Sequence, residues 1–297
     1  MATISNYFDQ AQLSQAAYAL GLQQGWSGGG TEQDPSPYAL QLIDGGMSKV
    51  QAIEFASTYT VVNQFTESGG IFGQGEGFSG TVFKDKAGKY YMALRGTEGG
   101  LFSAAGLIDW TQADIADIGG DGIAIHQAVE MYNWYQRLIT PVGQTAAQYI
   151  YHEEVVGVDI QTGNGLVLQT PASLEKTEVI VTGASGAYEG GYLAGMQDKM
   201  IAIGHSLGGH LAMIMSRVDP NRISTVSTYN APAFDPPVGT PFPLTTQGFF
   251  DLLRQAEVDS SGQSSVGTGW NASIIDSFRI PVGVVGRTKP SDFSARL

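Results

Sequence analysis

The fold is decided by Lys199-Met200-Ile201-Ala202-Ile203-Gly204-His205-Ser206-Leu207-Gly208-Gly209. Lys199–Ile203 is a short apolar run of the kind that forms a buried parallel strand, and Leu207–Val218 continues at helical spacing. A second strand is predicted at Ile223–Asn230, after the turn residues 219–221. Because a helix that joins two neighbouring strands makes a βαβ unit, the sequence predicts a parallel sheet at this point.

The segment Gly204-His205-Ser206-Leu207-Gly208 matches G-x-S-x-G and lies between the predicted strand and the predicted helix. A serine on such a tight turn has a strained backbone, and side chains at the flanking positions would collide with the strand or the helix. Gly204, Gly208 and Gly209 remove these collisions. The turn would present the serine hydroxyl at a helix N-terminus, so Ser206 is the candidate nucleophile and the Leu207 N–H the first oxyanion-hole donor.

Two histidines lie close to Ser206 in the sequence, and neither is expected to act as its base. His205 is adjacent to the serine, and a side chain at that position of the turn points away from the hydroxyl. His210 lies one helical turn further on and is expected to be a partly buried helix residue. The base of such a site normally comes from a separate loop.

The elbow sequence resembles the nucleophile motif of the bacterial class 3 lipases, a lipase and phospholipase A-like group of the α/β-hydrolase superfamily. Other segments resemble further motifs of that family: Leu94-Arg95-Gly96-Thr97 its F-R-G-[ST] signature, Asp109-Trp110 with Asp114 its D-W-x-x-[DN] run, Leu13-Ser14-Gln15-Ala16-Ala17-Tyr18 its first helix, and Ile125-His126 its V-H-x-G-F segment. Together the matches cover roughly residues 10–20, 79–139 and 199–235.

The resemblance implies an α/β-hydrolase fold, with a mostly parallel central sheet flanked by helices, in a single domain over residues 1–297. It implies a secreted or cytoplasmic serine ester hydrolase, a lipase or esterase of lipid degradation, that works through an acyl-enzyme. Thr97 would be the second oxyanion donor and His126 would be structural. A turn at the C-terminal edge of a strand also lies where parallel sheets bind ligands, which agrees with the role of Thr97. The alternatives are a phospholipase A-type enzyme and an inactive α/β-hydrolase that binds lipid or a partner.

The chain departs from the family at the catalytic base. The triad of this fold runs Ser, then Asp or Glu, then His, yet no histidine follows His210. We favour a sequence that stops early, with 293–297 as the start of the strand whose far end would carry the acid. The alternatives are that His152 is the base, or that the protein as given is inactive.

The acidic residue of the triad is not identified either. Three aspartates follow the nucleophile at plausible spacings in the sequence, and none of them stands out. They are Asp259, Asp276 and Asp292. Each could equally be a solvated loop carboxylate, which is the usual fate of aspartate. The acid and the base are therefore left unknown.

The composition of the chain excludes several kinds of site and partner. The chain has 297 residues, 42% of them hydrophobic, and no cysteine, which excludes disulfides, thiolate catalysis and thiolate zinc sites. The formal net charge of −13 argues against nucleic acid as a partner and favours a neutral substrate such as a lipid ester. No run reaches the roughly 18 to 20 apolar residues of a transmembrane helix. No metal site is predicted.

The first basic residue is Lys49, so the N-terminus does not resemble a Sec signal peptide, and we expect a protein that is secreted without one or is cytoplasmic. Gly119-Gly120-Asp121-Gly122 resembles one unit of a calcium-binding repeat. A single copy has no neighbour to stack on, so a turn is the better interpretation and calcium stays a weak suggestion. Bacterial lipases exported through C-terminal repeats also lack cysteine and a signal peptide.

Hydrophobic periodicity places the remaining elements. Helices are predicted at Ile4–Leu20, Ser48–Thr58 and Ala124–Ile139, and strands at Tyr59–Thr66, Phe78–Lys84 and Lys89–Leu94, with a hairpin turn at 85–88. A β-rich insertion is predicted at about 141–195, with strands at Val155–Ile160, Gly165–Leu168 and Glu178–Thr182. The segments 242–253 and 266–280 would shape an acyl pocket or a lid.

Overall fold

A computed structural model describes residues 4–66, 78–96, 123–152, 155–158, 167–170, 172–184, 186–232, 234, 246–258 and 262–278. The chain divides into two compact units. The first consists of Met1–Asp114, Gly195–Ala233 and Gly267–Leu297, and the second of Ile115–Ala194 and Phe234–Val266. The prediction of one domain with an insertion stays a prediction.

The first unit is built on a six-stranded mixed sheet. Its strands are β1 (Tyr59–Thr66), β2 (Ser79–Asp85), β3 (Tyr90–Leu94), β8 (Met200–His205), β9 (Ile223–Tyr229) and β10 (Ile275–Phe278), in the order β1-β2-β3-β8-β9-β10. β1, β2 and β3 form an antiparallel meander, and β3, β8, β9 and β10 run parallel. The carboxyl ends of β3 and β8 therefore lie side by side, with Leu94 paired to Gly204.

The α-helices among the described residues of the first unit are α1 (Ile4–Ala16), α2 (Pro37–Asp44), α3 (Lys49–Thr58) and α5 (Leu207–Val218). Two of them begin at serine caps. The Ser36 hydroxyl accepts a hydrogen bond from the Ala39 N–H, with Pro37 opening the helix, and Ser48 forms a capping box with Gln51. These caps define where α2 and α3 start.

The core of the first unit lies between the sheet and helices α1, α2 and α3. Phe55 of α3 packs against Tyr59 of β1 and Phe83 of β2, with ring centroids 4.6 and 5.3 Å apart. Leu13 of α1 and Ile203 of β8 are fully buried in the same cluster. Burying a side chain of this size stabilises the fold by roughly 1.5–3 kcal/mol.

The second unit contains α4 (Ile125–Ile139), α6 (Thr246–Glu257) and two small antiparallel sheets, β4 (Thr145–His152) with β7 (Ser173–Ile180) and β5 (Val155–Val158) with β6 (Val167–Thr170). Helix α4 packs on β4, where the Arg137 guanidinium donates to the Gln148 amide oxygen and both side chains are buried. The Tyr132 and Tyr149 rings stack with centroids 5.4 Å apart. This unit contains most of the predicted β-rich segment.

The structure confirms the βαβ unit, the meander and the long helix α4. Helix α5 and strand β1 have the predicted bounds. Helices α2 and α6 and strands β4 and β10 were not predicted, although Ser36-Pro37 is a helix start signal for α2. Helix α1 ends at Ala16 rather than Leu20, because the chain turns there through Tyr18 N–H to Gln15 O and Ala19 N–H to Ala16 O bonds.

Among the described residues, no helix is both long enough and apolar enough to cross a membrane.

Candidate active site

Ser206 lies at the turn between β8 and α5 with φ 54° and ψ −130°. Among the described residues only Asn230 shares a positive φ without being glycine, and asparagine tolerates this region better than most residues do. A serine in such a conformation is strained by about 1–3 kcal/mol, and strain of this kind clusters at functional sites. The sequence predicted this strained turn at this residue.

The glycines around Ser206 are required by close backbone contacts. A Cβ at Gly204 would lie 2.1 Å from the carbonyl of Gly208, and a Cβ at Gly208 would lie 2.1 Å from the Leu94 carbonyl oxygen. A Cβ at Gly209 would lie 2.9 Å from the Ala231 Cβ. Since real Cβ atoms do not approach backbone so closely, each position excludes a side chain and lets α5 start directly above β3 and β8.

Hydrogen bonds of the main chain hold the elbow in place. The Ser206 N–H donates to the Tyr229 carbonyl at 2.8 Å, which ties the elbow to β9, and the Ser206 carbonyl accepts from the Gly209 N–H at 2.9 Å. Leu207 is the first residue of α5, so its N–H has no acceptor within the helix. The Leu207 N–H is therefore available to a ligand, and its role as an oxyanion donor stays a prediction.

The end of β3 lies against the elbow at Gly96. A Cβ at Gly96 would lie 2.6 Å from the His205 carbonyl oxygen and 3.3 Å from the Ser206 Cβ. The segment that resembles the family's second oxyanion motif therefore reaches the nucleophile. Thr97, the next residue and the predicted second donor, lies outside the described residues, as do Asp109, Trp110 and Asp114.

The His205 side chain contacts Tyr18. Its Nδ1 lies 3.0 Å from the Tyr18 hydroxyl, and the two rings are 6.2 Å apart between centroids. Partial burial lowers the pKa of His205. The Nδ1 of His205 is thus engaged with an aromatic hydroxyl, and the expectation that His205 does not serve Ser206 as a base stays a prediction.

His210 is completely buried in α5. Burial lowers the pKa of its imidazole to about 4, and a hydrogen bond to the Pro232 backbone opposes this shift. The sequence predicted a partly buried helix residue, and the burial is in fact complete. A neutral, enclosed imidazole of this kind is a structural group.

The other two histidines belong to the second unit. His126, in the first turn of α4, packs edge-on against the Tyr151 ring with centroids 5.3 Å apart, which fits a structural role. The His152 Nε2 lies 2.9 Å from Glu175 Oε2 on β7, and 51% and 58% of these side chains are exposed. His152 as an alternative base stays a prediction.

Of the three candidate acids, the structure describes Asp276 only. It lies half-buried on β10, and its Cα pairs with that of Ser227 on β9. Asp259, Asp292 and the calcium-repeat-like segment 119–122 lie outside the described residues. Across the described residues there is no group of three or more His, Cys, Asp or Glu side chains that could hold a metal ion.

The sequence did not predict the contacts of α1 with β9, the strand beside the one that leads into the elbow. The Ser227 hydroxyl donates to the Gln10 amide oxygen at 2.6 Å, and the Tyr229 hydroxyl donates to the Tyr7 carbonyl at 2.9 Å. These partners lie more than 200 residues apart in the chain, so no local spacing announces them. The one available signal was the resemblance of the segment 13–18 to the family's first helix.

Comparison with known proteins adds no further assignment. The chain matches no protein-family model, and comparisons with curated proteins and with solved structures likewise give no match.

Proposed function

We propose that this protein is a serine hydrolase of the α/β-hydrolase fold that cleaves carboxylic esters of lipids, with Ser206 as nucleophile. One observation carries the proposal: Ser206 has φ 54° at a strand-to-helix turn whose flanking glycines exclude any side chain. Strain of this kind, held by the surrounding packing, is characteristic of a nucleophile elbow. The parallel order β3-β8-β9-β10, preceded by an antiparallel meander, supports the α/β-hydrolase fold.

In the proposed reaction, the Ser206 Oγ forms a bond to the ester carbonyl carbon and its proton passes to a base. The Leu207 N–H and Thr97 stabilise the negative charge that develops on the carbonyl oxygen. The bond to the alcohol oxygen then breaks and the alcohol leaves with a proton. Water attacks the acyl-enzyme, releases the carboxylic acid and restores the serine. Acid and base are not assigned to residues.

The lipid part of the proposal rests on the resemblance to class 3 lipases and on the charge of the chain. With a formal net charge of −13, the protein would repel an anionic substrate, whereas a neutral acyl ester meets no such barrier. A phospholipase A-type specificity belongs to the same chemistry and differs in the head group. No resident metal or cofactor enters the mechanism, and calcium stays a weak suggestion.

A second candidate function is a catalytically inactive α/β-hydrolase that binds lipid or a partner protein. Within the sequence given no histidine follows His210, and this candidate applies if no base reaches Ser206. An inactive relative would keep the fold and lose the proton relay, so its serine would not react with esters.

Hydrolysis of nitrophenyl esters of graded acyl length, compared with phosphatidylcholine, tests the proposal. We expect turnover by the wild type and its loss, by about 10⁴-fold or more, in Ser206→Ala. Ser216→Ala is the matched control, since this buried serine of α5 bonds only within its own helix, to the Met213 carbonyl. Equal activity in Ser206→Ala would exclude the nucleophile, and an inactive wild type that binds lipid would favour the second candidate.

A further inference from the structure

Tyr18 lies two residues after the end of α1 and contacts the elbow. Its hydroxyl is 3.0 Å from the His205 Nδ1, although the two residues are 187 positions apart in the chain. Tyr18 and His205 are both half-buried. A phenolic hydroxyl can either donate or accept, so it satisfies this nitrogen in both tautomers of the neutral ring.

The same hydroxyl lies against Gly96. A Cβ built at Gly96 would lie 2.7 Å from the Tyr18 hydroxyl, 2.6 Å from the His205 carbonyl oxygen and 3.3 Å from the Ser206 Cβ. The Tyr18 hydroxyl, the end of β3 and the elbow therefore meet around one point. Gly96 directly precedes Thr97, which carries the predicted second oxyanion donor.

Helix α1 is also attached to β9, the strand that accepts the Ser206 N–H. Its Tyr7 carbonyl accepts a hydrogen bond from the Tyr229 hydroxyl at 2.9 Å. The carbonyl of Tyr229 in turn accepts the Ser206 N–H at 2.8 Å. The N-terminal segment 4–18 is thus connected to the residue before the nucleophile and to the backbone acceptor of the nucleophile itself.

Oxyanion stabilisation depends steeply on distance. Donors must lie about 2.7–3.1 Å from the developing charge, and a displacement of about 1 Å can reduce the rate by about 10²-fold. The elbow, which begins directly after His205, presents both the Ser206 hydroxyl and the Leu207 N–H. A contact that fixes the elbow would therefore determine how well the nucleophile and this donor are placed.

We propose that Tyr18 is a positioning residue of the active site: by bonding His205 beside Gly96, it fixes the elbow that presents the Ser206 hydroxyl and the Leu207 N–H. This inference rests on the proposed function. Tyr18 acts through His205 and the backbone, so its contribution falls on the chemical step and leaves ground-state binding of the ester nearly unchanged.

Tyr18→Phe removes only the hydroxyl and keeps the ring. We expect kcat to fall by roughly 10-fold with KM changed by less than about twofold. Tyr91→Phe is the matched control, since it also removes one hydroxyl of the same unit, bonded to the hairpin residue Asp85 at 2.8 Å. It should keep the wild-type kcat.

His205→Phe removes the other partner of the contact and gives an independent variant if Tyr18→Phe does not fold. It should lower kcat to a similar degree, and the double variant should lose little more than either single variant, because both remove one contact. Hydrogen exchange at the Ser206 amide should also accelerate in Tyr18→Phe and not in Tyr91→Phe.

The outcomes separate the two proposals. If Ser206→Ala is inactive while folded Tyr18→Phe has the wild-type kcat, or shows only a raised KM, Tyr18 is not a positioning residue and the hydrolase proposal stands. Additive losses in the double variant would also overturn it. If the wild type does not hydrolyse esters, or if Ser206→Ala is fully active, both proposals fall together.

Discussion

Ser206 adopts a backbone conformation that serine disfavours, and the residues around it leave it no alternative. Its N–H is bonded to Tyr229, Gly204 packs against the backbone of Gly208, and Gly208 packs against the backbone of Leu94, with no room for a Cβ at either glycine. The local sequence was sufficient to predict this, because the glycine spacing and the strand-to-helix order lie within a dozen residues. It was not sufficient for His205, whose partner Tyr18 is distant in the chain.

Backbone strain at Ser206 can be measured by comparing Ser206→Gly with Ser206→Ala. At an ordinary position glycine is less stable than alanine by roughly 0.5–1 kcal/mol, because the unfolded chain gains freedom. With φ 54° the order should reverse, and Ser206→Gly should unfold with a free energy about 1 kcal/mol higher than Ser206→Ala. Urea denaturation measures the difference, and the same pair of substitutions at Ser224 of β9 should show the ordinary order. The ordinary order at Ser206 would mean that the turn is unstrained.

Strand β8, helix α5 and strand β9 were predictable because each carries its own pattern. The apolar run of β8 is buried throughout, as a central parallel strand requires, and α5 follows it without a connecting loop. Helix α2 shows the limit of periodicity: its eight residues are too few for a clear pattern, and the Ser36-Pro37 start signal lay within a segment rich in turn residues. The attachment of α1 to β9 could not be predicted, since it joins elements that lie more than 200 residues apart in the chain.

The close approach of α5 to β3 depends on Gly208. In Gly208→Ala the new methyl group would lie 2.1 Å from the Leu94 carbonyl oxygen, so the helix or the strand must move. We expect a loss of about 1–3 kcal/mol in the free energy of unfolding and a loss of ester hydrolysis. Gly269→Ala is the control, because its methyl group would meet no atom within 4 Å. Thermal denaturation and an ester assay on both variants decide, and a fully stable, active Gly208→Ala would contradict the packing described for the elbow.

At the scale of the whole molecule, the chain forms two units, and the candidate nucleophile with its surroundings belongs to the first. The mixed sheet and its flanking helices were predictable from the alternation of strands and helices. The acid and base were not, because an aspartate on a strand and an exposed histidine have the same local sequence pattern whether or not they act on a serine. Asp276 on β10 and His152 on β4 illustrate this.

The stability of the fold should depend on pH through His210. Burial lowers the pKa of this imidazole to about 4 in the folded chain, against about 6.5 when unfolded. Between these values the unfolded chain binds a proton that the folded chain excludes. The free energy of unfolding is therefore unaffected by His210 above pH 6.5. It falls as the pH is lowered from 6.5 towards 4, by about 3 kcal/mol over the whole window.

Urea denaturation of the wild type and of His210→Gln at pH 7.5 and pH 4.5 measures this contribution. The difference in unfolding free energy between the two pH values should be smaller in His210→Gln, since glutamine does not titrate. An unchanged pH dependence in His210→Gln would show that other groups cause the acid sensitivity.

The central claim is that Ser206 is an activated nucleophile, and covalent labelling by a fluorophosphonate probe tests it most directly. The probe reacts with serines that are activated for nucleophilic attack, and peptide mass spectrometry locates the adduct. We predict a single adduct on the peptide that contains Ser206, absent in Ser206→Ala and retained in Ser216→Ala. A folded wild-type chain that takes up no probe, or that carries the adduct on another serine, would contradict the account.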